Sequence, residues 1–397
     1  MSAFLPGSIN RRTCISAIGG GLLLLNAPGR LAAQEQTIKI GALYPLSGPS
    51  AAIGNENMRG FQYVMDLAGN RVAGKKIETL FVDDQNSPTV ALNEARRLVE
   101  TEKVVALTGN LNSPIALAIS AYALRMKIPY VAGPIATDLT GSKRNAFTFR
   151  ASNAANQLEG PYALLLKRRG FKRGILMGSD YVAGHEVVDG IADALKSSGG
   201  TVVKEVFPRL GESDYAPYFA DLASQKADFV FGFFFGGDTL RFVRQYRAAG
   251  LTFPLTMTAA ALSEGGVAQQ LGQDVEGLYS QETWVNVLTD PISKAFVDGF
   301  QAKFHDMPGP LAVLGYHEAT IILESLRALK GNVPDGVALA KAIQNVHFKS
   351  PGGQDFRFEP NHNPLFSAWL VQWHWKDGKA TPTVLDTIRN IKQPDTP

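Results

Sequence analysis

The sequence predicts an α/β protein made of two doubly wound halves, each a mainly parallel sheet with helices on its faces, followed by a closing hairpin. The first reason is a repeated order of short apolar run, small-residue loop and segment of helical period. The second is size, because 397 residues with 45% apolar content suffice for two cores at roughly 150 residues per domain. The third is the tail, where the pattern becomes alternating and aromatic from residue 368 onward.

Residues 38–68 show the repeated unit most clearly. Residues 38–43 form an apolar, β-branched run, which is typical of a strand buried on both faces. A Pro/Ser/Gly cluster at residues 45–49 ends the run, and apolar residues recur at helical spacing after Gly54. This order is the first half of a βαβ unit.

The same unit recurs along the chain. Further strands are predicted at residues 77–84, 104–109, 130–132, 147–152, 174–177, 201–208 and 229–235. Further helices are predicted at residues 90–100, 155–169, 185–196, 214–224, 291–305, 310–329 and 335–344. The closing hairpin pairs residues 368–375 with 383–385 across a turn at 376–379.

The amino terminus resembles an export signal. Arg11 and Arg12 precede an uncharged run at residues 15–25, and a small-residue exit follows, so we expect residues 1–33 to be removed after Ala33. The paired arginines favour the twin-arginine route, with an ordinary Sec-type signal as the alternative. The apolar run is shorter than the ~20 residues that span a bilayer, which argues against a permanent transmembrane helix.

Charge and cysteine content restrict the function classes. The formal net charge is +3, and residues 1–33 carry three arginines and no acid, so the predicted mature chain is neutral. Nucleic acid and anionic membranes are therefore poor partners. Cys14 is the sole cysteine and precedes the apolar run, so we expect neither a disulfide nor a lipid on the mature chain.

The loops after the first-half strands are the predicted binding face. In open α/β sheets, ligands bind beyond the carboxyl ends of the strands. Those loops are residues 44–54, 110–114 and 133–140. Pro114 suits a first helical position with Ser113 as N-cap, so a helix with free backbone N–H groups should begin there.

Six segments occur in a characteristic order along the chain: IKIGALYPLSGPSAAIG, VDDQNSPTVA, VVALTGNLNSP, IPYVAGPIATDLT, SDYVAGHE and RQYRAAGL. Together they resemble one family, the extracellular solute-binding proteins of the Leu/Ile/Val-binding type, which serve ABC importers. The resemblance covers about residues 37–385 and implies a type I periplasmic binding protein fold, with two lobes, three crossings of the chain between them and a ligand buried in the cleft. Lobe one would take residues 36–153 plus 284–361, and lobe two residues 154–283 plus 362–390.

The resemblance also implies a set of ligand-binding residues. Hydroxyls and main-chain amides of two lobe-one loops would hold a ligand carboxylate, although Ser113 and Thr137 could instead only cap helices. The remaining residues would form the walls of the cleft. The expected ligand-binding residues are Tyr44, Ile53, Asn112, Ser113, Ile135, Thr137, Tyr181, Ala183, Phe235, Ala260 and Trp284.

One departure from the family pattern bears on the ligand. Amino-acid binders of this family hold the ligand ammonium with an acidic side chain where this chain has Ala260, and Glu264 is expected on a helix as a poor replacement. Leaving a buried ammonium unpaired would cost about 3 to 5 kcal/mol. We therefore expect a small carboxylate with an aromatic or apolar body, unless Asp238 or Glu282 supplies the missing acid. A branched-chain amino acid or amide is the alternative.

Other function classes find little support. The common nucleotide, hydrolase and metalloprotease motifs are absent, the six histidines are scattered, and adjacent Asp83 and Asp84 face opposite sides of a strand. We expect no catalytic residue, metal or cofactor. The expected partners are a small-molecule carboxylate and an inner-membrane ABC permease, with a periplasmic monomer as the working form. A sensor that presents its ligand to a membrane receptor stays open as an alternative.

Overall fold

The computed structural model describes residues 37–220, 222–258 and 261–394, so the expected export signal, Cys14 and Ala260 lie outside the described residues. The strands are β1 (Ile38–Tyr44), β2 (Arg71–Val72), β3 (Lys75–Asp83), β4 (Ala106–Gly109), β5 (Tyr130–Ala132), β6 (Thr148–Arg150), β7 (Arg173–Gly178), β8 (Thr201–Val206), β9 (Phe229–Phe233), β10 (Leu255–Met257), β11 (Tyr279–Glu282), β12 (His347–Ser350), β13 (Gln354–Arg357), β14 (Phe366–Lys376) and β15 (Lys379–Ile391). The α-helices are α1 (Ala51–Leu67), α2 (Pro88–Arg96), α3 (Ser113–Met126), α4 (Glu159–Arg169), α5 (Val182–Ser197), α6 (Ala216–Phe219), α7 (Gly237–Ala248), α8 (Val267–Leu271), α9 (Pro291–Phe304), α10 (Pro310–Ala328) and α11 (Gly336–Gln344).

Two sheets organise these elements. The first has the order β2-β3-β1-β4-β5-β6, with every neighbour parallel except the short β2. The second has the order β15-β14-β11-β10-β9-β7-β8 and is parallel from β11 to β8, while β14 and β15 pair antiparallel at its edge. The predicted fold class, two α/β halves with mostly parallel sheets, is therefore confirmed. The lobe boundaries given above stay a prediction.

Sequence and structure agree best where a strand is buried on both faces. Residues of β1 and β9 are nearly all buried, as their unbroken apolar runs predict. The predicted helix at 214–224 is broken into the single turn α6 and a 3₁₀ turn at Leu222–Ser224, and the hairpin of β12 and β13 was not predicted. The start of α3 also differs, because Ser113 is its first residue and Asn112 occupies the N-cap position.

Helices α9 and α10 return the chain to the first sheet. After β11 the chain leaves the second sheet, and both helices pack on α1 before β14 rejoins that sheet. The crossing of α1 and α10 depends on glycine, because a Cβ atom at Gly60 would overlap the Ala312 carbonyl and one at Gly315 would overlap the Asn57 carbonyl. Backbone therefore meets backbone at this crossing. Among the described residues, no helix combines the length and apolarity needed to cross a bilayer.

We predict that Gly60→Ala lowers the free energy of unfolding by about 1–3 kcal/mol, because the added methyl group forces two packed helices apart. Chemical denaturation followed by circular dichroism measures this change. Gly160→Ala is the matched control, since a Cβ atom there has open space and the residue lies in α4. It should change stability by less than about 1 kcal/mol. Equal effects at both positions would contradict the tight crossing.

Candidate functional site

A cavity of about 470 Å³ lies at the carboxyl ends of the parallel strands. Loops that follow β1, β4 and β5 of the first sheet and β7, β9 and β11 of the second contribute to its lining, together with the start of α10. A volume in this range matches sites for small organic ligands. The lining thus draws on both sheets, at the edge where open α/β sheets bind ligands.

Most of the predicted site residues meet at this cavity. They come from positions far apart in the chain, and only the parallel arrangement of the strands brings them together. Whether they contact a ligand stays a prediction. The predicted residues that line the cavity are Ile53, Asn112, Ser113, Ile135, Tyr181, Ala183, Phe235 and Trp284.

Two predicted residues do not line the cavity. Tyr44 is fully buried beneath it, and its hydroxyl donates to Glu318 Oε2 at 2.7 Å. Thr137 lies to one side, where its backbone N–H donates to Glu186 Oε2 at 3.2 Å. Neither residue therefore presents its polar group to the cavity in this structure.

One end of the cavity is polar. Ser113 starts α3 there, so the N–H groups of the first helical turn and the positive end of the helix dipole favour an anion. Asn112 fixes the preceding loop, because its Nδ2 donates to Asn86 Oδ1 at 3.0 Å. Asn86 in turn donates to Ser50 Oγ at 3.3 Å. These side chains hold the loops after β1, β3 and β4 to one another.

An acidic side chain also reaches the cavity, contrary to the expectation from sequence. Glu264 begins a single 3₁₀ turn at Glu264–Gly266 rather than lying on the following helix, and it lines the cavity with only 6% exposure. Burial, followed by the nearby charges of Glu56 and Glu282, raises the pKa of Glu264 well above its usual value. The structure thus places Glu264 in a turn at the cavity, and whether it can replace the missing acid stays a prediction.

The two other candidate acids, Asp238 and Glu282, differ in whether they reach the cavity. Asp238 lines the cavity, but it accepts from Gly211 N at 2.8 Å and is paired with Arg241. Glu282 is fully buried without lining the cavity, and Ser280 donates to it. Burial raises the pKa of Glu282 to about 7.

Glu56 joins three segments around the cavity. Its carboxylate accepts from Gly265 N at 2.7 Å and from the N–H groups of Leu311 and Ala312 at 3.1 and 3.2 Å. Burial raises the pKa of Glu56 to about 7. This single carboxylate therefore ties α1 to the start of α10 and to the turn that carries Glu264.

The opposite wall is aromatic and includes residues that sequence reasoning missed. His317 and Phe356 line the cavity with Trp284, and the His317 and Phe356 rings lie 5.0 Å apart. Burial lowers the pKa of His317 to about 4, so its ring is neutral near pH 7. Residues 310, 313, 314 and 317 share one face of α10 at helical spacing, a pattern visible in the sequence that was not used.

A buried polar cluster lies behind the polar end. Glu318 is fully buried and accepts from Tyr44 and from Asn57 Nδ2 at 3.0 Å. Burial is the main cause that raises the pKa of Glu318 to about 8. The carboxyl is thus protonated near pH 7. A Cβ atom at Gly133 would lie 3.2 Å from Glu318 Oε1, so Glu318 sits directly behind this cavity-lining glycine.

The lining of the cavity is suited to binding a small molecule. The described residues contain no group of three or more His, Cys, Asp or Glu side chains that could hold a metal ion. A cavity with a polar end, an aromatic wall and contributions from two parallel sheets defines a binding protein for small molecules.

The sequence matches the family described as periplasmic binding protein over residues 37–379, and the chain belongs to this family. Leu/Ile/Val-binding protein homolog 7 of Brucella abortus is 27% identical over 387 residues, which cover 90% of this chain and 94% of the relative. An ABC transporter substrate-binding protein from Sphaerobacter thermophilus is 30% identical with a TM-score of 0.84, covering 90% of this chain and 99% of that one. The solute binding protein of an ABC transporter from R. palustris, in complex with benzoate, is 28% identical with a TM-score of 0.82, covering 88% and 96%.

These findings confirm the family predicted from sequence. The chain is a periplasmic binding protein of an ABC transporter and not an enzyme. Proteins of this family are exported to the periplasm, bind small molecules and work with a membrane permease.

We predict that Glu318→Gln flattens the pH dependence of stability. The pKa of Glu318 is about 8 in the folded state and about 4.5 when unfolded, so its contribution is complete below pH 4.5 and is lost as pH rises toward 8. Removing this group should reduce the fall in unfolding free energy by about 1.4 kcal/mol per pH unit in that interval. Denaturant titrations across this range measure the slope. Glu324→Gln, on the same helix but in a surface pair with Arg327, is the control and should leave the slope unchanged.

Proposed function

We propose that this protein binds a small carboxylate with an aromatic or apolar body in the cavity and delivers it to an ABC permease. The observation that carries the proposal is the division of the cavity into a polar end at the start of α3 and a wall of aromatic rings. Such a site fits a ligand with a negative charge at one end and an apolar surface at the other.

The polar end would hold the carboxylate without a cation in contact. Ser113 and Ile135 follow the adjacent strands β4 and β5, so the two loops lie side by side. Backbone N–H groups and a hydroxyl at a helix start favour an anion through aligned dipoles and charge-assisted hydrogen bonds. Asn112 would contribute to the same end. Thr137 is assigned no direct ligand contact in this form, because its N–H is engaged by Glu186.

The aromatic wall would bind the body of the ligand. Trp284 is almost fully buried, and its Nε1 donates to Ser293 Oγ at 3.2 Å, so the indole is fixed in place. Phe235 also lines the cavity and lies on the loop before α7. Ring faces and edges of this kind favour a flat apolar ligand by burial and stacking. The similarity to a solute binding protein in complex with benzoate supports the same ligand class.

A branched-chain amino acid is the second candidate, and Glu264 is the observation that favours it. A buried carboxyl in the cavity provides the partner that a ligand ammonium needs. The relatives named as Leu/Ile/Val-binding protein homologues agree with this possibility. The raised pKa of Glu264 favours the aromatic or apolar acid instead, because a neutral carboxyl tolerates a ligand that brings no cation.

We also propose a working cycle of export, ligand binding and recognition by the permease. Export would use the twin-arginine signal at residues 1–33, and the protein would act as a monomer of two lobes with the boundaries stated above. Ligand binding would favour a closed arrangement of the lobes, which the permease would recognise. A sensor role would use the same closure with a different membrane partner.

We predict that benzoate-type acids stabilise the protein after unfolding and refolding, which removes any copurified ligand. A ligand that binds only the folded state adds about 2.7 kcal/mol at a hundredfold excess over its Kd. Thermal shift assays with benzoate, phenylpropenoate, leucine, valine and phenylalanine measure the effect, and benzyl alcohol is the uncharged control. Stabilisation by leucine or valine alone would contradict the aromatic-acid proposal.

We predict that Glu264→Gln separates the two candidates. If the ligand is an aromatic acid, the variant should bind benzoate within about threefold of the unmodified protein, because no ammonium needs the carboxylate. If the ligand is an amino acid, leucine affinity should fall by more than about tenfold. Calorimetric titration with both ligands gives the ratio. Glu276→Gln is the control, since Glu276 is a surface residue paired with His374.

A further inference from the structure

Arg150, the last residue of β6, is a buried cation without an acidic partner in contact. Its side chain is fully buried, and no carboxylate among the described residues hydrogen-bonds to its guanidinium. Burial lowers the pKa of Arg150 to about 9, so the side chain still carries its charge near pH 7. A buried charge without an ion pair is costly unless hydrogen bonds compensate it.

The hydrogen bonds of Arg150 converge on the loop after β5. Its guanidinium donates to the carbonyl oxygens of Pro134 and Ala136 and to Thr140 Oγ1, and its Nε donates to Asn363 Oδ1 at 2.8 Å. All four acceptors are neutral. The side chain therefore fixes the path of residues 134–140 and adds a positive charge directly behind them.

This anchoring sets the direction of one backbone amide. In a trans peptide the C=O and N–H groups point in opposite directions. Because the Pro134 carbonyl faces Arg150, the N–H of Ile135 faces away from it, on the side where Pro134 and Ile135 line the cavity. No described protein group accepts a hydrogen bond from this N–H, whereas the Ile135 carbonyl accepts from Ala155 N at 2.8 Å.

The same loop already holds a carboxylate. The Ala136 carbonyl faces Arg150, and the next N–H, that of Thr137, donates to Glu186 Oε2. The charges of Glu186 and Arg150 also attract each other at longer range. At Thr137, an N–H that is turned away from Arg150 therefore donates to a carboxylate.

We propose that Arg150 is the positioning residue that makes the Ile135 loop selective for anions, by fixing the Ile135 N–H toward the cavity and by placing behind it a positive charge that no carboxylate contacts. The inference rests on the proposed function in taking this cavity as the ligand site. It adds that discrimination between a carboxylate and its uncharged amide arises from a residue that never touches the ligand.

The first test compares benzoate with benzamide, which has nearly the same shape and no charge. Arg150→Met should weaken benzoate binding by about tenfold or more and leave benzamide binding nearly unchanged, because charge-assisted hydrogen bonds are lost only for the acid. Arg144→Met is the matched control, since Arg144 is an exposed arginine on the preceding loop. It should alter neither affinity. An equal loss for both ligands would assign Arg150 a purely structural role and overturn the proposal.

A second measurement on the unmodified protein covers the case in which Arg150→Met does not fold or benzoate does not bind. Millimolar acetate should shift the amide resonance of Ile135 in a ¹⁵N spectrum, whereas acetamide and sodium chloride at matched concentrations should not. An Ile135 amide that ignores acetate would overturn the proposal. If acetate shifts it while no aromatic acid stabilises the protein, the proposed ligand class fails and the anion site at the Ile135 loop stands.

Discussion

The parallel alignment of the strands is the constraint on which the rest of the structure depends. Because β1, β4 and β5 run in the same direction as neighbours, their following loops emerge at one edge of the first sheet. Strands β7, β9 and β11 do the same in the second sheet. The cavity is the space that these loops enclose. The site therefore depends on the paths of these loops as well as on the side chains that they carry.

The parts of the fold that follow from local pattern were predictable from sequence. Buried strands such as β1 and β9 are recognised by their unbroken apolar runs. Asp335, at the predicted start of a helix, is the N-cap of α11. The helix predicted at residues 214–224 was too long, because the apolar residues around Phe219 pack into the core without continuing a helix. The β12–β13 hairpin escaped because its four-residue strands are too short for a clear period.

The site was only partly predictable, for two physical reasons. Alternation along a strand turns Tyr44 away from the cavity into contact with Glu318, and the strand pattern alone does not say which face is which when both are buried. Glu264 was misplaced because positive φ angles at Gly265 and Gly266 break the expected helix and create a turn. Arg150 gave no signal at all, since a buried arginine satisfied by carbonyl oxygens has no motif.

The glycine crossing of α1 and α10 has a mechanical consequence. Helices whose backbones touch at Gly60 and Gly315 have no compressible side-chain layer between them, and the carboxylate of Glu56 locks the start of α10 to the same helix. Ile53 on α1 and His317 on α10 therefore keep a fixed spacing. The spacing between these two residues is set when the protein folds. A ligand must therefore fit this spacing, because the two helices do not move apart to accommodate it.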